Sequence, residues 1–166
     1  MYYAAMRQYD VANGTGIRAS LFVSGCTHDC KGCFNGVYQN FKYGKPWDEE
    51  AQKQFLGYMN NPNIKGATIL GGEPMEQTRD RDLCELLKVL RETGKDIWIY
   101  SGFTYEQILD DPRKKELLTL CDVLVDGKFE EDKKDLMLKF RGSSNQRIID
   151  VQASLKGGTI VLLALE

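Results

Sequence analysis

The chain has 166 residues, of which 42% are apolar and 28% charged, and its formal net charge is −2. This length suits one domain spanning residues 1–166, and the composition is ordinary for a soluble globular protein. There is no basic stripe of the kind that nucleic-acid binding requires. The longest apolar run, residues 159–165, is too short to cross a bilayer. Residues 1–10 do not resemble a secretory signal, so we expect a cytoplasmic protein with neither nucleic-acid nor membrane partners.

Strand-like and helix-like stretches alternate along the chain. Residues 17–23 predict a strand, and four apolar residues spaced by four predict a helix after Pro46. A short buried strand at residues 66–70 precedes a helix with a leucine stripe at residues 83–90. A strand at residues 97–100 follows. The four apolar residues of the helix predicted after Pro46 are Trp47, Ala51, Phe55 and Met59.

The second half of the chain continues this alternation. Thr104 and Gln107 form a predicted capping box that opens a third helix. A helical stretch follows Pro112, and residues 123–125 predict a fourth strand. The tail differs, because residues 148–151 and 159–163 flank a Gly-Gly pair and predict a hairpin or an edge-strand extension.

The alternation of strands and helices predicts an α/β fold with a parallel sheet. Ligands of such sheets lie beyond the carboxyl ends of the strands. We call the four predicted strand ends, which begin near residues 24, 71, 101 and 126, the rim. A closed eight-stranded barrel needs about 200 residues or more. The sequence therefore predicts an incomplete, open parallel β/α barrel with its site at the rim.

Three of the five cysteines, Cys26, Cys30 and Cys33, lie in one short loop at the rim. Thiolates are soft ligands that suit zinc, copper(I) or iron–sulfur clusters. Structural zinc wants four protein ligands, whereas three ligands on a cubane cluster leave one iron open. His28 would complete a zinc site only in a strained loop, so we expect it to be a solvated residue or a donor near a sulfur. The loop therefore predicts an iron–sulfur cluster with one open iron. A zinc site and inert buried thiols remain the alternatives to this cluster.

The other candidates each have a structural interpretation. Cys84 and Cys121 stand alone beside apolar stretches and are expected to pack in the core. The Gly-Gly-Glu-Pro stretch at residues 71–74 is a turn or a ligand-binding rim segment. Asp126 and Lys128 form either a surface ion pair at a turn or part of the site, and Ser101 is equally open.

The spacing Cys-x₃-Cys-x₂-Cys matches the radical S-adenosylmethionine (SAM) superfamily. Within it, the chain resembles the activating proteins of anaerobic (class III) ribonucleoside-triphosphate reductase. The resemblance runs from about residue 10 to residue 151, and Arg-Gly-Ser-Ser-Asn-Gln is its most family-specific stretch. The matching segments are residues 13–18, 21–26, 71–74, 123–129 and 141–147.

This resemblance implies a single radical SAM domain and a [4Fe–4S] cluster on the three loop cysteines, with SAM bound at the open iron. The backbone of Gly71, Gly72 and Glu73 would line the methionyl amine. The expected SAM contacts are completed by Gly32, Cys33, Phe34, Ser101, Asp126 and Lys128.

The implied reaction is reductive cleavage of SAM to methionine and a 5′-deoxyadenosyl radical. This radical would take a hydrogen atom from a glycine of the partner reductase, and a reduced flavodoxin- or ferredoxin-type protein would donate the electron.

Two other functions remain open. One is a compact radical SAM enzyme that acts on a small molecule, such as a carboxy-deazaguanine synthase; the stretch from Arg141 to Arg147 argues against it. The other is a non-catalytic iron–sulfur or zinc module. A pure electron carrier would need four cysteine ligands per cluster.

Overall fold

The computed structural model describes residues 1–28 and 36–165. Within them the chain forms seven strands, five α-helices and three short 3₁₀-helices. The strands are β1 (Tyr2–Asp10), β2 (Arg18–Val23), β3 (Lys45–Pro46), β4 (Gly66–Gly71), β5 (Asp96–Tyr100), β6 (Val123–Asp126) and β7 (Arg147–Asp150). The α-helices are α1 (Glu49–Met59), α2 (Asp82–Glu92), α3 (Tyr105–Leu109), α4 (Pro112–Thr119) and α5 (Val151–Gly157).

All seven strands belong to one sheet with the order β3-β1-β2-β4-β5-β6-β7. The four central strands, β2, β4, β5 and β6, are parallel neighbours, as the alternating pattern predicts. β1 and β3 on one side and β7 on the other are antiparallel to their neighbours. β3 and β7 are the edges and do not pair with each other, so the sheet of the described residues is open rather than a closed barrel.

The two faces of the sheet differ in what covers them. Side chains of one face, such as Leu21 and Ile69, pack with helix residues in the main apolar core. The alternating residues of the other face form a smaller cluster that includes Trp98 and Val125. Because successive side chains of a strand point to opposite faces, each central strand contributes side chains both to the helix layer and to the second face. That second face carries the candidate site.

The predicted helix signals are confirmed where they were most specific. Asp48 caps α1 by accepting a hydrogen bond from the Ala51 backbone N–H at 2.8 Å. All four apolar residues of the face that begins at Trp47 are buried. Thr104 and Gln107 form the reciprocal capping box of α3. Local hydrogen bonding therefore sets both helix starts.

The sequence prediction misses one strand and is half right about the tail. No element is predicted for residues 2–10, yet they form β1, so β2 is the second strand of the chain. Of the two alternatives for the tail, the edge-strand extension is confirmed by β7, which pairs antiparallel with β6 at the edge of the sheet, whereas α5 separates the two segments of the expected hairpin. The Gly-Gly pair ends α5, where Gly158 has a φ of 74°, and a single bridge joins Ile149 to Leu162. In the described ranges, no helix is both long and apolar enough to cross a membrane.

Candidate functional site

The carboxyl ends of the four parallel strands meet at one rim, as predicted, and a cavity of about 420 Å³ opens there. Residues from each strand end line it, together with the connection between β6 and β7. The predicted site residues in the lining are Cys26, Gly71, Gly72, Glu73, Ser101 and Lys128. Cys30 and Cys33, with the expected SAM contacts Gly32 and Phe34, lie outside the described residues.

The cysteine loop leaves β2 and returns beside it. The Gly25 N–H donates to the Tyr38 carbonyl at 2.7 Å, and the Cys26 N–H donates to the Gln39 carbonyl at 3.1 Å. The Gln39 side chain in turn donates to the carbonyl of His28 at 3.0 Å. These bonds hold both described ends of the loop together at the rim. The soft thiol of Cys26, half-buried at the cavity, fits an iron–sulfur cluster in its donor chemistry.

Gly72 is a glycine because two backbone segments touch it. Its N–H donates to the Val23 carbonyl at 2.8 Å. A Cβ at this position would lie 2.6 Å from the Gly25 carbonyl oxygen and 2.7 Å from that of Tyr38. The rim segment therefore packs directly against the base of the cysteine loop. Gly71, with a φ of 110°, packs as closely on Val23. Close protein packing, and not only room for a ligand, requires these two glycines.

The carboxylate of Glu73 is buried and accepts four hydrogen bonds from protein groups, whereas only the backbone of this residue was expected to contribute to the site. Its side chain is 1% exposed. Oε1 accepts hydrogen bonds from His28 Nε2 at 2.8 Å and from the Gly102 N–H at 2.7 Å. Oε2 accepts from Ser101 Oγ at 2.8 Å and from the Met75 N–H at 3.0 Å. One carboxylate thus ties together the ends of β2, β4 and β5.

His28 is buried, so of the two expectations for it the solvated one is wrong, and the other, a donor near a sulfur, stays a prediction. It is 8% exposed, and its ring meets that of Phe103 edge to face with centroids 4.5 Å apart. A Cβ on Gly102 would lie 2.7 Å from the imidazole ring. Burial against Glu73 gives His28 a structural role at this position.

A second grouping of possible ligands lies at the same place. Cys26, His28 and Glu76 each offer a ligand atom, and these atoms lie within 4.8 Å of one another. Glu76 also accepts hydrogen bonds from the Thr27 backbone N–H at 2.8 Å and from its hydroxyl at 2.7 Å. A mixed sulfur, nitrogen and oxygen set of this kind suits zinc better than a cubane cluster.

Asp126 is buried, so the alternative that it forms a surface ion pair with Lys128 is wrong. Its side chain is 1% exposed. It accepts hydrogen bonds from Arg147 Nε at 3.0 Å and Nη2 at 2.5 Å, and from the Tyr105 N–H at 2.8 Å. The described cavity lining includes Lys128 but not Asp126. The carboxylate of Asp126 joins β6, β7 and α3, and its expected contact with SAM stays a prediction.

The isolated cysteines behave as predicted. Cys84 and Cys121 are buried in the main apolar core. Burial raises the pKa of both thiols above its ordinary value, which disfavours the thiolate that a metal would bind.

Several cavity residues were not predicted from the sequence. Arg7 comes from β1, and Tyr100 comes from β5 on the second face of the sheet. The Tyr100 hydroxyl donates to the Phe140 carbonyl at 2.5 Å, and burial raises the pKa of that phenol. The alternation around Ile97 and Ile99 would have identified Tyr100 as facing away from the helix layer.

The comparisons with known proteins agree with this site. Residues 12–149 match the family model described as a 4Fe-4S single cluster domain. This match assigns the chain to the class of proteins with a single 4Fe-4S cluster domain.

Three relatives are each named anaerobic ribonucleoside-triphosphate reductase-activating protein. That of Pasteurella multocida (strain Pm70) is 40% identical over 155 residues, which cover 89% of this chain and 96% of the relative. That of Escherichia coli (strain K12) is 37% identical over 150 residues, with 88% and 96% covered. That of Enterobacteria phage T4 is 33% identical over 150 residues, with 89% and 93% covered. The chain belongs to the family of anaerobic ribonucleoside-triphosphate reductase-activating proteins.

Proposed function

We propose that this protein activates an anaerobic ribonucleoside-triphosphate reductase by reductive cleavage of SAM at a [4Fe–4S] cluster, leaving a glycyl radical on the partner. The names of the relatives and the matching family model support the activating role and the cluster. The observation that carries the proposal is the shared cavity, whose lining includes Cys26 together with the strand-end residues Gly71 and Ser101. On this proposal the open sheet is a radical SAM barrel that lacks its closing strands.

The proposed cluster ligands are Cys26, Cys30 and Cys33. When bound, the cluster would supply one electron to SAM, whose carbon–sulfur bond would break to give methionine and a 5′-deoxyadenosyl radical. That radical would take a hydrogen atom from a glycine α-carbon and become 5′-deoxyadenosine. A reduced flavodoxin- or ferredoxin-type protein is the proposed electron source. No proton-transfer base is needed, so the role of the protein is positioning and electrostatics.

Different residues of the chain are proposed to position the two ends of SAM. The backbone of residues 71–73 offers polar groups at the mouth of the cavity, where we place the methionyl end of SAM. Lys128 is exposed at the same mouth and can reach an anionic group. Gly32, Cys33 and Phe34 remain proposed contacts of the adenine end.

Glu73 holds the arrangement together rather than binding SAM with its carboxylate. All four of its hydrogen bonds go to protein groups. The second face of the sheet adds apolar and aromatic side chains such as Phe22 and Phe140. Such a lining excludes water from the cavity. This exclusion protects a carbon-centred radical from side reactions.

The experiment uses the anaerobically reconstituted protein, SAM, a strong reductant and the purified glycyl-radical subunit of the host's reductase. We expect one 5′-deoxyadenosine per activated partner. Partner subunit in which the radical glycine is replaced by alanine should yield no stable radical. If the wild-type partner is not activated while a small metabolite drives SAM cleavage, the proposal is wrong. The protein would then be a radical SAM enzyme that acts on a small molecule.

A zinc module is the second candidate, because Cys26, His28 and Glu76 offer a mixed ligand set. Metal and sulfide analysis after anaerobic purification separates the two. Brown protein with about four irons and four sulfides per chain supports the cluster, whereas colourless protein with stoichiometric zinc supports the module.

A further inference from the structure

One donor at the cavity lacks an acceptor. Arg141 lines the cavity, and its Nη1 donates to the Gln146 carbonyl at 2.6 Å. Its Nε is buried and has no hydrogen-bond partner in the described part of the chain. A buried donor without an acceptor is costly, especially on a charged group. The arrangement therefore favours a ligand that brings an acceptor to this side chain.

The segment that carries Arg141 is fastened to the rim. The Gln146 side chain accepts hydrogen bonds from the Gly142 and Ser143 N–H groups at 2.9 and 3.1 Å. Its Nε2 donates to the Gly127 carbonyl at 3.0 Å. Residues 140–146 are thus tied to the end of β6, and the Tyr100 hydroxyl ties them to β5. Hydrogen bonds to β5 and β6 therefore hold the segment that carries Arg141 in place.

The cavity as a whole attracts acceptor groups. Among the described residues that line it, Arg7, Lys128 and Arg141 are the arginines and lysine, His28 is the one histidine, and Glu73 is the single acidic residue. Glu73 already accepts four hydrogen bonds from protein groups. The planar guanidinium of an arginine suits carbonyl and carboxylate oxygens, since its N–H groups point in fixed directions.

The position of Arg141 separates it from the cluster. Cys26 follows β2, whereas the support of Arg141 is fastened to β5 and β6, two and three strands away. Neighbouring strands lie about 4.8 Å apart, so the two sides of the cavity are roughly 10–14 Å apart. The same β6–β7 connection also carries Leu136 and Met137, which are 83% and 89% exposed. Two neighbouring exposed apolar side chains on this connection offer apolar surface that a protein partner can cover.

From these observations, and resting on the proposed function, we propose that Arg141 binds a backbone carbonyl of the partner's glycine-bearing polypeptide and positions it across the cavity from the cluster. Arg141 is then a specificity determinant for the protein substrate and contributes nothing to SAM binding. Leu136 and Met137 form the apolar surface against which the same polypeptide rests.

The test compares Arg141→Gln and Arg141→Lys with wild type, and with Arg91→Lys as a matched control on the helix side of the sheet. Arg141→Lys retains a cationic donor for the Gln146 carbonyl but loses Nε. Iron and sulfide content and the SAM dissociation constant are measured first. SAM cleavage without the partner is measured next, and the KM for the purified glycyl-radical subunit is measured last.

We expect both Arg141 variants to raise the KM for the partner at least 10-fold. Their cluster content, SAM affinity and partner-free SAM cleavage should stay within twofold of wild type, and Arg91→Lys should resemble wild type throughout. A parallel loss of SAM affinity would make Arg141 a SAM ligand, and an unchanged KM would remove it from recognition; either result overturns the inference. If wild-type protein itself fails to activate the partner, the proposed function has failed instead.

Discussion

Replacing Glu73 by Gln tests whether this carboxylate joins the strand ends. An amide retains one carbonyl oxygen and puts an NH₂ group where the other oxygen was. Because Oε1 faces the Gly102 N–H and Oε2 faces the Met75 N–H, one backbone N–H loses its acceptor in either orientation. An unsatisfied buried donor costs about 1–3 kcal/mol. At about 2–4 °C per kcal/mol for a chain of this size, the melting midpoint should fall by about 2–12 °C.

The assay is thermal unfolding followed by circular dichroism under anaerobic conditions, with cluster content measured on the same samples. Glu85→Gln is the matched control, because Glu85 is 59% exposed and its contact with Lys88 is a surface pair worth about 0–1 kcal/mol. We also expect Glu73→Gln to lower iron content, because an uncharged amide holds His28 and the strand ends at the rim less firmly than the carboxylate does. A melting midpoint indistinguishable from that of Glu85→Gln would refute the claim that the Glu73 carboxylate stabilises the fold by joining the strand ends.

Three further predictions concern the rim. Asp126→Asn weakens a buried ion pair with Arg147 and should lower the melting midpoint by several degrees; an unchanged midpoint would return Asp126 to the surface pair that the sequence suggested. Gly72→Ala brings a Cβ within 2.7 Å of two carbonyl oxygens and should reduce iron and sulfide per chain, whereas full cluster content with weakened SAM binding would show that the ligand alone requires this glycine. Cys26→Ala should abolish cluster assembly while Cys84→Ala leaves it near wild type, and loss of the cluster in Cys84→Ala would contradict a three-cysteine site.

The sequence predicts the parts of the fold that depend on local patterns. The apolar spacing of α1 and the capping box at Thr104 report on residues three and four positions apart. The rim follows from the order of parallel strands, because any such sheet brings its strand ends together. The cavity membership of Cys26 and Ser101 could therefore be predicted without knowing a single contact.

The remaining features depend on contacts between distant residues. β1 has no alternating pattern and exists because it pairs with β2. Asp126 is buried because Arg147, 21 residues away, reaches it from β7. Gly72 meets the Tyr38 backbone across the cysteine loop. Neither spacing nor composition encodes such pairings, so the roles of these residues emerge only in the folded chain.

The central claim is that this protein places a radical on a glycine of its partner. The most direct measurement is an electron paramagnetic resonance spectrum of the partner subunit after anaerobic incubation with this protein, SAM and reductant. We predict a doublet from coupling to the one remaining α-hydrogen, which collapses toward a singlet when the partner carries glycine deuterated at the α-carbon. A spectrum with no organic radical, recorded from fully cluster-loaded protein that cleaves SAM, would contradict the account.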